Sequence, residues 1–186
     1  MLEKANKDNE KLIEFWDKRL ELSEEDKKEL EGQTAESFEE VASLAPTEKL
    51  VLAAKSLGEC KKVLDYGCGT GWAGIIAAKS GCKDVTAVDV CEGPVETTKV
   101  YAKICGVDAN MHISCFSTDW LGKVETGVYD GFICSNVLDV IPDETADEII
   151  KETARATAPG AKVIFSFNFY ISPETAKEKG MELVDG

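Results

Sequence analysis

The chain has 186 residues, 44% of them hydrophobic and 30% charged, a composition that supports an ordinary folded core. Its formal net charge is −14 and its pI about 4.5. Such a surface repels phosphate backbones and anionic bilayers at long range, so nucleic acid and membrane are disfavoured as partners. The Met1 end is charged and lacks an apolar stretch of signal-peptide type, and no apolar run approaches spanning length, so a cytoplasmic location is expected. The seven cysteines, Cys60, Cys68, Cys82, Cys91, Cys105, Cys115 and Cys134, are odd in number and form no C-x-x-C pair. That argues against a disulfide framework and a zinc site, and no metal is expected. They read as reduced core thiols, with Cys68 alone placed near a ligand.

Residues 1 to about 45 are strongly charged and helical in pattern. Asp8 or Asn9 caps a helix with Leu12, Ile13, Phe15, Trp16 and Leu20 on or near one face. Ser23 with Asp26 opens a second short helix, ended by Gly32, and Ser37 caps a third around Phe38, Val41 and Leu44. After Pro46, Thr47 caps a helix from Glu48 to about Leu57.

The stretch at 61–78, KKVLDYGCGTGWAGIIAA, organises the rest of the chain. The apolar run at Val63-Leu64 reads as a buried strand, the glycines Gly67, Gly69 and Gly71 as a turn, and Trp72 to Ala78 as a helix. Strand, glycine turn and helix form the first unit of a nucleotide-binding α/β fold. Glycine lets the backbone take positive φ and lie against a ligand, and the helix start offers free N–H groups and a positive dipole end.

Downstream, Lys83 to Asp89 is a second strand ending in an acid at the spacing of a ribose-binding carboxylate. Glu92-Gly93-Pro94 starts a helix that carries Val95, Val100, Tyr101 and Ile104 and ends near Gly106. Asn110 to Ser117 is the third strand, with His112 read as packed or surface-exposed rather than catalytic. Gly122 to Tyr129 is a polar connection and Asp130 to Ser135 the fourth strand. Pro142-Asp143-Glu144 opens a helix with Ala146, Ile149, Ile150 and Ala154 on one side. Pro159-Gly160 turns into the fifth strand, Lys162 to Phe169, and a short polar helix starts at Ser172. Five strands alternating with helices predict a doubly wound parallel sheet with right-handed crossovers.

Two families use such a glycine turn. The dinucleotide fingerprint needs a small residue where this chain has Trp72, which disfavours a nicotinamide-dependent oxidoreductase. The observed spacing, Asp65-x-Gly67-x-Gly69-x-Gly71, resembles motif I of the class I S-adenosylmethionine-dependent methyltransferases. The resemblance covers roughly Val63 to Phe169 in four separated segments. A weaker match lies at Phe15-Trp16-Asp17-Lys18-Arg19, similar to a W-D-x-R stretch in the leading helix of small-molecule members.

The resemblance implies a Rossmann-like sheet of order 3-2-1-4-5 with helices on both faces and an amino-terminal helical lid. One domain is expected over 1–186, with a cap at 1–46 and a cofactor-binding core at 47–186. Gly67, Cys68, Gly69, Gly71 and Trp72 would wrap the methionine half of S-adenosylmethionine, and Asp65 would help position its ammonium group. Asp89 would hold the ribose and Val90 would pack on the adenine. Asp119 would accept from the adenine amino group, with Trp120 flanking the base, and Ser135 and Asn136 would lie beside the methionine part. The reaction implied is methyl transfer to a small-molecule acceptor. A non-catalytic cofactor-binding module is the alternative.

No catalytic residue is assigned. Asp139, where many relatives carry a histidine, is a candidate base on position alone. Phe15, Trp16, Trp120 and Tyr170 are aromatic candidates for an acceptor pocket. Members of the family usually add two further strands. Met181-Glu182-Leu183-Val184 reads as the start of the next one, so a shortened variant or a piece of a longer chain is expected.

Overall fold

A computed structural model describes residues 11, 13–30, 32–33, 43–168 and 172–179. The caps proposed at Asp8, Asn9 and Ser37, the helix positions Leu12, Phe38 and Val41, Tyr170 and the strand at Met181 lie outside these residues.

Helix α1 covers residues 13–20. Ser23 and Asp26 form a reciprocal cap at the start of α2 (Glu24–Leu30): the Asp26 N–H donates to Ser23 Oγ, and the Ser23 N–H donates to Asp26 Oδ2. Thr47 caps α3 (Glu48–Ser56) by accepting from the Leu50 N–H. Then come β1 (Val63–Tyr66), α4 (Trp72–Lys79), β2 (Val85–Asp89), α5 (Glu92–Ile104), β3 (Met111–Cys115), the single-turn α6 (Trp120–Lys123), β4 (Tyr129–Ser135), α7 (Asp143–Ala156), β5 (Thr157–Ser166) and α8 (Pro173–Glu178).

The five strands form one parallel sheet in the order β3-β2-β1-β4-β5. Its central strands are buried on both faces, which is why they read as near-continuous apolar runs. Successive side chains alternate between two cores. Val63, Val85, Ala87 and Ile133 face one layer with α3, α4 and α5. Leu64, Tyr66, Val88, Phe132 and Cys134 face the other with α6 and α7. Trp72 to Ala78 of α4 are buried on every side, which accounts for a helix without a polar stripe. Six of the seven cysteines are buried and all are free, as expected of core thiols; Cys115 is exposed.

Two details differ from the sequence reading. Strand β5 begins at Thr157, directly after α7, rather than beyond Pro159-Gly160. Tyr129 pairs with Thr157 but Gly131 with Lys162, so the proline and glycine sit in an irregularity inside the strand, with Gly160 at φ 84°. On α7 the buried stripe is Ile149, Thr153 and Ala156, while Ile150 is exposed. The helix is rotated from the predicted face because its i, i+4, i+7 row meets the sheet.

Candidate functional site

The carboxyl ends of the parallel strands open into one cavity of about 450 Å³, at the switch between β1 and β4 where such sheets place ligands. It is lined by the glycine loop, by the residues after β2 and β4, by α7, and by Ile13, Trp16 and Leu20 of α1.

Asp65, Gly67, Cys68, Gly69, Trp72, Asp89, Val90, Ser135 and Asn136, all picked out from the sequence, line this cavity. Gly67, Gly69 and Gly71 all have positive φ, at 69°, 55° and 78°. A Cβ at Gly69 would approach only Leu20 of α1, at 3.7 Å, so the loop is open toward the lid there. Gly71 is different. It lines no part of the cavity, and a Cβ there would collide with the Thr98 side chain. It is a turn and packing glycine.

Four of the loop's N–H groups are already committed. Gly67 and Cys68 donate to the Val88 carbonyl at 2.8 and 3.0 Å, and Gly71 donates to Cys68 at 2.8 Å. Gly69 donates to Asp89 Oδ2 at 3.0 Å. The Gly74 N–H in the first turn of α4 donates to Asp65 Oδ2 at 2.8 Å. The loop and the first turn of α4 thus secure two carboxylates. Asp65 is 3% exposed, and burial lifts its pKa to about 7 against the lowering effect of the Gly74 N–H. Burial also raises Asp89, opposed by N–H bonds from Gly69 and Cys91. No Lys, Arg or His lines the cavity among the described residues. Two buried acids without a cation make a site for a cationic ligand, and they disfavour a pyrophosphate.

Asp119 and Trp120 adjoin the cavity wall but do not line it. Asp119 is exposed, accepts from Ser117 Oγ at 2.5 Å and pairs with Lys123 at 2.6 Å. Trp120 packs on Phe116, with ring centroids 5.8 Å apart. The cavity wall there is made by Phe116 and Thr118, which the sequence reading passes over. Asp139 also does not line the cavity; its Oδ2 accepts from both nitrogens of Asn168, at 2.8 and 2.6 Å. Asn136 takes a left-handed conformation, φ 57°, held by its N–H to Ser166 O at 2.9 Å and by Ser166 Oγ donating to its side chain at 3.2 Å. Tyr66 also escapes the sequence reading. It points to the opposite sheet face from Asp65 yet reaches the cavity, and the period-2 alternation after Asp65 is the only signal for it.

Helix α1 is fastened to the start of α5. Cys91 makes no side-chain cap for α5, and Asp17 supplies one from α1, accepting the Gly93 N–H at 2.7 Å. Thr97 Oγ1 donates to the Leu20 carbonyl at 2.7 Å. Gly93 has to be a glycine, because a Cβ would lie 2.6 Å from the Asp17 carbonyl oxygen. Phe15, offered as a pocket aromatic, is 55% exposed and outside the cavity, whereas Trp16 lines it.

A family model described as a methyltransferase domain matches residues 63–160. A ubiquinone biosynthesis O-methyltransferase of Idiomarina loihiensis is 33% identical over 106 residues, covering 57% of this chain and 42% of that protein. The chain thus spans about two fifths of the length of the curated relatives it matches. A solved putative O-methyltransferase from Nostoc punctiforme is similar with TM-score 0.54 and 26% identity, over 63% of this chain and 36% of that one. An S-adenosylmethionine-dependent methyltransferase from Thiobacillus denitrificans, solved in complex with S-adenosyl-L-homocysteine, has TM-score 0.52 at 20% identity over 64% and 48% of the two chains, a likeness of fold.

Proposed function

The chain belongs to the class I S-adenosylmethionine-dependent methyltransferases, and from that premise we propose that it binds S-adenosylmethionine in the cavity and catalyses methyl transfer to a small-molecule acceptor. The observation that carries the reading is the pair of buried carboxylates, Asp65 and Asp89, anchored by the glycine loop with no cation beside them. A cofactor with an ammonium, a sulfonium and a ribose diol fits this donor set, and a dinucleotide pyrophosphate does not. Asp65 would hold the ammonium, Asp89 the ribose hydroxyls and Val90 one face of the base, with Ser135 and Asn136 beside the methionine portion. Phe116 and Thr118 take the wall position that the sequence reading assigns to Asp119 and Trp120.

Bound there, the cofactor supplies an already activated methyl group. The chain's own contribution is orientation and exclusion of water, through the apolar faces of Ile13, Trp16 and Leu20 over the loop. The curated relatives are O-methyltransferases, which makes an oxygen acceptor the first to try. One domain over 1–186, with residues 1–46 as its cap, is part of the same proposal.

Titration calorimetry with S-adenosylmethionine, S-adenosylhomocysteine and NAD, repeated on Asp89→Ala, tests it. Binding of both sulfur compounds and not NAD, lost in the variant, is the expected result. NAD binding alone would restore the oxidoreductase reading. Tight cofactor binding with no methyl transferred to any acceptor would favour a non-catalytic binding module.

A further inference from the structure

The ends of β4 and β5 carry a ladder of polar bonds. Ser135 Oγ and Ser166 Oγ lie 2.7 Å apart, and Ser166 Oγ donates to Asn136 Oδ1 at 3.2 Å. One step further along, Asp139 Oδ2 accepts from the Asn168 backbone N–H at 2.8 Å and from Asn168 Nδ2 at 2.6 Å. The turn that carries Asp139 is well held: Asn136 keeps its left-handed φ of 57°, and the Val140 N–H donates to the Val137 carbonyl at 3.1 Å. The same turn leans on the glycine loop, since a Cβ at Gly67 would lie 2.4 Å from Val137 Cγ2.

Two bonds to one oxygen fix which way the Asn168 amide faces. An oxygen that accepts a backbone N–H would repel the amide carbonyl and attracts its NH2. The amide nitrogen is therefore on Asp139, which stands outside the cavity, while Asn168 itself lines the cavity. Its Oδ1 is the polar atom left to face a ligand. The order of the strands tells which part of a ligand that is. Neighbouring strands lie about 4.8 Å apart. Asp89 on β2 is assigned to the ribose, Asp65 on β1 to the ammonium, and Ser135 and Asn136 at the end of β4 to the methionine portion; β5 comes next in the sheet. A group at the end of β5 thus stands beyond the cofactor, on the side left for the acceptor.

Resting on the methyltransferase reading, we infer that Asn168 touches the reacting group of the acceptor and that Asp139 is its positioning residue. Asn168 Oδ1 accepts a hydrogen bond from the hydrogen on the acceptor's nucleophilic atom and so turns a lone pair of that atom toward the methyl carbon. That pair forms the new bond. The pair of the broken carbon–sulfur bond returns to the sulfonium sulfur, and the proton leaves to water at the rim, where Asn168 and Asp139 are both exposed. An amide oxygen is too weak a base to keep the proton, and Asp139 acts by holding the amide rather than as a base.

The test needs no acceptor. Sinefungin has an amine-bearing carbon in place of the methylated sulfonium, so its amine occupies the path of the methyl group and donates hydrogen bonds there. S-adenosylhomocysteine has no donor at that place. Both are titrated by calorimetry into the whole chain and its variants. Failure of S-adenosylhomocysteine to bind the wild type would remove the methyltransferase reading and this inference with it. Given that binding, Asn168→Leu should weaken sinefungin by about tenfold and leave S-adenosylhomocysteine within about twofold. Asp139→Asn frees the amide to turn and should weaken sinefungin by about threefold or more, again sparing S-adenosylhomocysteine. Combining Asp139→Asn with Asn168→Asp rebuilds an NH2–carboxylate pair with an acceptor at position 168, and should return sinefungin to wild-type affinity or tighter. Equal losses for both ligands would mark the pair as a structural tie. Those equal losses, sinefungin binding that is absent in the wild type, or sinefungin binding unchanged in Asn168→Leu would each overturn the inference while leaving the cofactor site standing.

Discussion

Asp65 ties the site to the stability of the fold. Its buried carboxyl keeps its proton to about pH 7, whereas in an unfolded chain it releases it near 4. Between those values the folded state binds the extra proton, so stability falls as pH rises from about 4 to about 7 and levels off above. That window corresponds to a loss on the order of 2–4 kcal/mol. Asp65→Asn keeps an acceptor for the Gly74 N–H and cannot ionise. Thermal unfolding of the variant between pH 5 and 8 should therefore be flatter than wild type, with the variant more stable at pH 8. If Asp65 holds the cofactor's ammonium, the variant should also bind S-adenosylmethionine at least tenfold more weakly. In wild type, binding below pH 7 should then release a proton, seen as a buffer-dependent heat. A Tm profile that is the same for both proteins would show that Asp65 is already ionised in the free chain.

Gly71 makes a separate case at the same scale. Gly71→Ala combines a positive φ with a clash against Thr98. It should cost about 1–3 kcal/mol, measured by urea denaturation, with part of the loss recovered in a Thr98→Ala background. The motif makes Asp65, Gly67, Gly69 and Asp89 legible because their positions come from strand, turn and helix alone. Thr98, which dictates glycine at 71, lies 27 positions away, and nothing local to the motif announces it.

The elements around the cavity differ in how they are held, and this sets which of them can move. Helix α4 is locked between sheet and α3, whereas α1 is held by Asp17 on the Gly93 N–H, by Thr97 on the Leu20 carbonyl and by Cys91 Sγ donating to Ile13 O. Trp16 adds a cost: its Nε1–H is buried with no hydrogen-bond partner among the described residues. Among the described residues the lid has few ties and one unsatisfied donor, which suits it to opening for ligand exchange. Asp17→Ala should raise hydrogen exchange across 13–20 with little change in the exchange of β1 and β4. Trp16→Phe removes the orphan donor and should leave exchange in α1 equal to or slower than wild type. Faster exchange in both variants would mean that the indole packing, and not the capping bond, secures the lid.

Element boundaries are legible where a cap or a strand end is written in adjacent residues, as at Thr47 and Ser23. They are not where tertiary contacts decide. Asp119 reads as a partner of the base because it comes just after β3, but Lys123 one turn later and Ser117 two residues earlier draw it to the surface. The start of β5 reads too late because Pro159-Gly160 is a turn signal that the pairing with β4 absorbs as an irregularity. Gly93 reads only as part of a helix start, since its partner Asp17 lies 76 positions away.

At the scale of the molecule the distribution of charge matters more than its sum. Residues 1–46 contain 14 acidic and 7 basic side chains, so this quarter of the chain carries half of the net charge of −14. The acidic cap segment thus meets an acidic body, and repulsion between them opposes the few bonds that hold α1 to α5. Salt screens repulsion between exposed charges beyond about 10 Å at 0.1 M, while the partly buried Asp17–Gly93 bond is screened much less. Raising ionic strength from about 10 to about 150 mM should therefore tighten the lid and raise the Tm by a few degrees. Limited proteolysis within the first 46 residues should slow over the same range, and by less in Asp17→Ala, which has lost the bond that screening leaves intact. An acidic cap attached mainly by its own ion pairs would respond in the opposite sense, becoming easier to cleave as salt rises. Among the described residues of this region the surface pairs Lys18–Glu14 and Lys27–Glu24 lie within single helices. Screening also weakens the pull of Glu96 on Lys27 across to α5, so the net effect of salt reads whether long-range repulsion outweighs such attractions.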